Sequence, residues 1–241
     1  MNTLLYSILF LGALLSGLSV LWLKISARNL KLILAFSGAY LFAISVLHLI
    51  PDIYSSGEKS VGIFILVGFF LQIFLEFFSE GIEHGHIHVH THAEKAFPLT
   101  IMLSLSVHSF LEGMPLAQNL NHISESNKQL LAGILLHNIP IAIALMTMLL
   151  QSHVSKTMAL VSLLAFAAMA PLGGLTSMLI GQSTINMANY FNDIMAVVIG
   201  IFLHISTTIL FESSENHRFN LLKFLIIILG ASLALLSFNF I

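Results

Sequence analysis

The chain has 241 residues, of which 57% are hydrophobic and only 8% carry a charged side chain, and its mean hydropathy is +0.96. Soluble domains carry about 25% charged residues, so this composition predicts a protein that crosses the membrane several times. There is no cysteine, which excludes disulfides, thiolate metal sites and cysteine nucleophiles. The net charge is -2 without a basic cluster, which argues against nucleic acid as a partner.

Apolar segments of about 20 residues follow one another along the chain, and each is long enough to cross the roughly 30 Å hydrocarbon layer of a bilayer. We therefore predict an all-α membrane protein whose residues 1–241 form a single transmembrane domain. The predicted transmembrane helices, eight in number, are Leu4–Leu23, Leu30–Ile50, Ser60–Ser79, Phe97–Ala117, Leu130–Leu150, Met158–Ile180, Tyr190–Phe211 and Leu221–Phe240.

The positions of the lysines and arginines predict how the chain lies in the bilayer. Seven of the nine fall at the first, third, fifth and seventh connections: Lys24, Arg28, Lys31, Lys95, Lys156, Arg218 and Lys223. Only Lys59 and Lys128 fall at the even connections. Because basic residues are retained on the cytoplasmic side, we expect the odd connections in the cytoplasm and both termini outside it. The expected location is the inner (plasma) membrane of a bacterium, with the lipid bilayer around the helices.

The fourth and fifth predicted helices carry polar residues of the kind that bind metals. His108 and Glu112 are four residues apart, so they lie on one helix face, and His137 lies at a similar depth in the next helix. Two imidazoles and a carboxylate suit a borderline divalent cation, and burying them in hydrocarbon is costly unless they pair or bind something. The alternative is a polar seam in which each group hydrogen-bonds a neighbouring helix. Pro115 and Pro140 free backbone carbonyls near this site, or simply bend their helices.

A second polar stretch, Glu83–His92, directly follows the third predicted helix. Its histidines alternate with other residues: His84, His86, His88, His90 and His92. Neutral imidazoles at this density bind Zn²⁺, Ni²⁺ or Cu²⁺. We predict a His-rich cytoplasmic loop at about residues 81–96. It serves either as a receiver for ions leaving the membrane or as a polar loop with incidental affinity.

Further polar residues suggest a pathway on each side of the site. Near the end of the third helix, three polar residues follow one another at intervals of four positions: Glu76, Glu80 and His84. They form either a ladder toward the cytoplasm or separate solvated and hydrogen-bonded groups. His48 and Asp52, also four apart, lie at the outer end of the second helix as an entrance or as a solvated pair. For His204 in the seventh helix we expect either a polar contact between helices or a position at the interfacial end of the helix.

Several of these motifs together resemble the ZIP (Zrt/Irt-like) family of transporters for zinc and related divalent metals. The fourth-helix pattern His-Ser/Asn-x-x-Glu-Gly is matched by His108, Ser109, Glu112 and Gly113. In the fifth helix the family pattern is His-Lys/Asn-x-Pro-Glu, and its first, second and fourth positions are matched by His137, Asn138 and Pro140. Two further stretches resemble the family in the second and sixth helices, namely Leu47–Asp52 and Ala170–Gly173.

The resemblance implies a bundle of eight transmembrane helices that transports Zn²⁺ or another divalent metal, with no enzyme activity and no organic cofactor. A homodimer is one option for its assembly. The implied metal ligands are His108, Glu112 and His137, accompanied by Ser109 and Asn138. A rocking or elevator movement of one helix group against another is also implied.

The sequence departs from the family pattern at the positions of other ligands. Ile141 stands where the family has a fifth-helix glutamate, and Ala170 stands where some relatives have a carboxylate before the sixth-helix proline. The second-helix position that offers a ligand in some relatives corresponds to Tyr40. We therefore expect one metal site where some relatives have two.

Three functions are compatible with these residues. The first is a carrier that moves divalent metal, with Zn²⁺ favoured, into the cytoplasm. The second is a degenerate relative that senses or stores metal, having lost transport with the carboxylate that Ile141 replaces. The third is an intramembrane zinc hydrolase, which is disfavoured because the His-Glu-x-x-His motif is absent.

Overall fold

The computed structural model describes residues 2–55, 57, 60–84, 98–117, 125–152, 154–182, 187–211 and 220–239. Within these ranges the chain folds into eight long helices and contains no strand. Their bounds are α1 Asn2–Ser19, α2 Ala27–Tyr54, α3 Val61–Ser79, α4 Leu99–Ala117, α5 Glu125–Gln151, α6 Lys156–Gln182, α7 Met187–Phe211 and α8 Leu221–Asn239.

The helices confirm the predicted fold class of an all-α membrane protein. Six of them, α2 to α7, are long and apolar enough to cross a bilayer. The terminal helices α1 and α8 contribute the shorter apolar stretches Leu4–Ser19 and Leu221–Leu236, so their full crossing remains a prediction. Large apolar side chains on α3 are exposed on the bundle surface, for example Phe70, Phe74 and Phe77, as expected for a helix that faces lipid.

Helix α2 is irregular near its C-terminal end. Residues Ser45–Leu49 form a π-helical turn, after which the α-helix resumes at Ile50 and carries Pro51 in its first turn. Proline lacks the backbone donor of a regular helix, and π turns of this kind often occur at functional sites. The π turn includes His48, whose side chain is buried.

Helix α3 ends in a reversal of the chain. Glu80 has φ 53° and Gly81 has φ 71°, which places two consecutive residues in the left-handed region that commonly terminates helices. A short 3₁₀ turn, Ile82–His84, follows. Ile82 and Glu83 are buried in this turn, so the reversal directs the chain back against the bundle.

The helices pack in two groups. Helices α1, α4, α5 and α6 pack against one another, as do α2, α3, α7 and α8, and the groups meet where α2 packs on α5 and α3 packs on α4. Within each group, glycines let two backbones approach closely. On α4, a Cβ at Gly113 would lie only 2.7 Å from the carbonyl carbon of Ala170 on α6. Conversely, a Cβ at Gly173 would lie 2.9 Å from the carbonyl carbon of Phe110 on α4.

The apolar interior is divided into two clusters along the helix axes. On α5, Leu130 and Ile134 belong to one cluster and Ile141–Leu145 to the other. On α4, Leu116 belongs to the first and Leu105 to the second. The residues between them on both helices include the buried polar side chains His108, Glu112 and His137. A polar layer therefore separates the two apolar clusters.

Candidate metal site

Helix α4 places its two predicted ligands on one face. Nε2 of His108 lies 3.1 Å from Oε1 of Glu112, and both side chains are completely buried. The separation of four residues produces this contact, because side chains at i and i+4 lie over one another on a helix. The close approach of α4 and α6 at Gly113 fixes the position of this helix directly beside Glu112.

Helix α5 adds a second imidazole to the same location. His137 is also fully buried, and its ring centroid lies 5.8 Å from that of His108, with the rings inclined at 81°. One ligand atom each from His108, Glu112 and His137 can be chosen so that all three lie within 4.8 Å of one another. Pro140 lies inside α5 and leaves a carbonyl of the preceding turn without its helical donor.

The polar atoms of this cluster are only partly satisfied by the protein. Oε2 of Glu112 and Oδ1 of Asn138 make no hydrogen bond with a described residue, and the 3.1 Å contact between Nε2 of His108 and Oε1 of Glu112 does not have hydrogen-bond geometry. A buried polar atom without a partner costs on the order of 1–3 kcal/mol, and more for a charged group. A divalent cation bound among these atoms would remove that cost, so the donor set fits a metal.

The remaining site residues lie on the same two helices. Ser109 and Asn138 are buried directly after the two histidines. Ile141 is fully buried one turn beyond His137 and offers no ligand atom. The structure therefore groups two imidazoles with one carboxylate in the described part of the chain, and the expectation of a single metal site remains a prediction.

The predicted cytoplasmic ladder is interrupted in the structure. Glu76 lies on α3, but its Oε2 is 2.6 Å from Nε2 of His204 on α7. This pair is the polar helix contact expected of His204. Glu80 is exposed in the left-handed position that ends α3, so the helix does not continue to His84, as a ladder with a spacing of four would require. The reason is the reversal at Glu80 and Gly81, which the spacing of four did not predict.

Other pathway residues are placed only in part. The backbone of His84 belongs to the 3₁₀ turn, whereas His86, His88, His90 and His92 lie outside the described residues. At the C-terminal end of α2, the His48 side chain is buried and Asp52 is exposed.

Two further residues connect to this site, namely Gln72, which no sequence motif includes, and Glu83, which the sequence analysis placed only at the start of the His-rich stretch. Gln72 on α3 places its Oε1 3.0 Å from Nδ1 of His108. Its Nε2 donates a hydrogen bond of 2.5 Å to Oε2 of Glu83 in the 3₁₀ turn. A signal for Gln72 was present in the sequence, because an amide in the middle of an apolar helix is costly without a partner.

Comparison with known proteins identifies the family. A search of curated proteins finds no match to this chain. A family model described as ZIP zinc transporter matches residues 84–237, which is more than half of the sequence and includes α4, α5 and the cluster of His108, Glu112 and His137. The chain therefore belongs to the ZIP family, whose members are transporters of zinc or other divalent metals and not enzymes.

Proposed function

We propose that this protein carries Zn²⁺ into the cytoplasm through a single mid-membrane site formed by His108, Glu112 and His137. The observation that carries the proposal is the convergence of three buried ligand atoms within 4.8 Å of one another. Two ligands at 2.0–2.2 Å from Zn²⁺ are about 3.4 Å apart in tetrahedral geometry. Shifts of about 1 Å would therefore bring these atoms onto one ion.

The chemistry of the ligands supports zinc over the abundant hard cations. Two imidazole nitrogens and one carboxylate suit Zn²⁺ and neighbouring transition metals, whereas Mg²⁺ and Ca²⁺ prefer oxygen ligands. Three protein ligands leave a coordination position open, as in zinc sites that exchange a ligand. An open position suits an ion that must be bound and then released.

The surroundings of the site support transport across the bilayer. The polar layer lies between two apolar clusters, so hydrocarbon-like side chains separate it from both ends of the bundle. A carrier of this kind would expose the site to one side at a time by moving one helix group against the other. The distribution of basic residues supports an orientation with both termini outside the cytoplasm.

The test is zinc uptake into proteoliposomes that contain a fluorescent zinc indicator. Glu112→Gln keeps the shape of the side chain but removes its charge, and we expect uptake to be abolished while the protein remains folded by size-exclusion chromatography. Asp193→Asn is the matched control, because it removes a carboxylate of helix α7 that lies outside the ligand cluster. We expect the control to transport zinc like the wild type.

Two outcomes would contradict the proposal. Normal uptake by Glu112→Gln would remove Glu112 from the transport site. A silent wild type together with zinc uptake by Ile141→Glu would instead identify a degenerate carrier, since the added carboxylate would then restore a lost function. Sensing or storage of metal would in that case be the better interpretation.

A further inference from the structure

Two consecutive buried hydrogen bonds connect Glu83, in the 3₁₀ turn after α3, through Gln72 to the candidate metal ligand His108. Oε2 of Glu83 accepts from Nε2 of Gln72 at 2.5 Å, and Oε1 of Gln72 lies 3.0 Å from Nδ1 of His108. All three residues are completely buried. Neither Gln72 nor Glu83 belongs to a motif of the metal site.

The chemistry of these groups fixes the direction of each hydrogen bond. An ionised carboxylate only accepts, so Glu83 requires the amide nitrogen of Gln72 to face it. The carbonyl oxygen of Gln72 must then face His108, and Nδ1 of His108 must carry the proton. In a neutral imidazole the other nitrogen, Nε2, keeps the lone pair. Nε2 is the atom that lies 3.1 Å from Oε1 of Glu112. In this tautomer both atoms carry lone pairs, so their repulsion would be relieved by a cation bound between them.

The hydrogen bond between Gln72 and His108 joins one helix group to the other. Gln72 lies on α3, which packs with α7, whereas His108 lies on α4, which packs with α6. The bond between them is therefore made only while α3 and α4 stand as they do here. Sliding of α4 along α3 would remove the acceptor from Nδ1 of His108.

We propose that Gln72 and Glu83 are positioning residues that hold His108 in the tautomer and orientation required to bind the transported divalent metal. This inference rests on the proposed metal site. Partners of metal-ligating histidines fix the ring and its tautomer, and their loss typically weakens metal binding about 10–100-fold.

The experiment measures Zn²⁺ dissociation constants of the purified full-length protein by titration calorimetry. Gln72→Leu keeps the approximate size of the side chain but removes both hydrogen bonds, and its dissociation constant should rise roughly 10–100-fold. Ser104→Ala is the matched control. It removes the hydrogen bond of 2.5 Å from Ser104 Oγ to the carbonyl of Leu75, which also joins α4 to α3 but does not reach His108. We expect the control to bind Zn²⁺ like the wild type.

Exchanging the amide of Gln72 and the carboxylate of Glu83 should restore Zn²⁺ affinity, a result that a purely structural role of these residues would not produce. Gln72→Glu alone places two carboxylates against each other and should weaken Zn²⁺ binding. Adding Glu83→Gln supplies an amide donor to the new carboxylate, which still accepts from Nδ1 of His108. The double variant should therefore recover affinity to within about threefold of the wild type. The absorption spectrum of bound Co²⁺ should change in Gln72→Leu and return in the double variant.

The outcomes separate this inference from the proposed function. If His108→Ala loses metal binding while Gln72→Leu binds like the wild type, the positioning role is wrong and the site stands. Failure of the double variant to improve on Gln72→Glu would also overturn the positioning role. If His108→Ala itself binds Zn²⁺ normally, the proposed site is wrong and the positioning role falls with it.

Discussion

Replacing Gly113 with alanine would test how closely helices α4 and α6 approach each other beside the metal site. The added Cβ would lie 2.7 Å from the carbonyl carbon of Ala170, where ordinary contacts begin at 3.4 Å. The carbonyl oxygen of Ala170 would lie closer still, so the backbones must separate by more than the difference of about 0.7 Å (3.4 minus 2.7), because these atoms do not belong to a flexible side chain. Inserting a methyl group into a packed interior typically costs about 1–3 kcal/mol.

We expect two effects of Gly113→Ala. The melting temperature in detergent, followed by circular dichroism, should fall by roughly 2–12 °C, since 1 kcal/mol corresponds to about 2–4 °C in chains of this size. The shift of α4 also exceeds the roughly 0.5 Å within which a binding site must be held. Because Glu112 directly precedes Gly113, the Zn²⁺ dissociation constant should therefore rise.

A matched glycine provides the control. At Gly62 on α3 a Cβ would meet only the Tyr54 hydroxyl, at 3.2 Å, which is the end of a side chain that can move. Gly62→Ala should keep the melting temperature and the Zn²⁺ affinity of the wild type. If Gly113→Ala matched Gly62→Ala in both measurements, the close approach of α4 and α6 would be refuted.

Further predictions concern the helix positions near the site and the His-rich segment. Ile141→Glu adds a buried charge one turn after His137, so the metal-free variant should have a lower melting temperature than the wild type. Added Zn²⁺ should raise its melting temperature more than that of the wild type; an equal rise would show that position 141 does not face the metal. Glu76→Gln weakens the 2.6 Å pair with His204 and should lower the melting temperature without changing the Zn²⁺ dissociation constant; a changed constant would assign Glu76 to the metal pathway. Converting the loop histidines to serine should alter the rate of uptake in proteoliposomes without abolishing it, whereas complete loss would make the loop obligatory. The converted residues are His84, His86, His88, His90 and His92.

The helices and the ligand cluster were predictable because each depends on local spacing. Runs of about 20 apolar residues can hardly be anything but membrane helices, and their predicted bounds agree with the observed ones within a few residues. A separation of four on one helix guarantees that His108 and Glu112 meet. The motif in the next helix then identified His137 as the partner across the helix contact.

The hydrogen bonds that connect Glu83 and Gln72 to His108 were not predictable, because they depend on a change of chain direction. The spacing of Glu76, Glu80 and His84 assumes that α3 continues, whereas the left-handed conformations of Glu80 and Gly81 end it. That reversal brings Glu83 to Gln72, eleven positions earlier in the sequence. No helical spacing relates these two residues once the helix has ended. The π turn in α2 is a similar departure from regular periodicity.

The reversal at Glu80 and Gly81 also affects how this protein can change during evolution. It places Glu83 by a local turn, before most of the histidine-rich stretch begins. We therefore expect the contact between Glu83 and Gln72 to tolerate changes in the length and composition of residues 85–97. On this basis, relatives of this protein should vary more in that stretch than at Gln72 and Glu83.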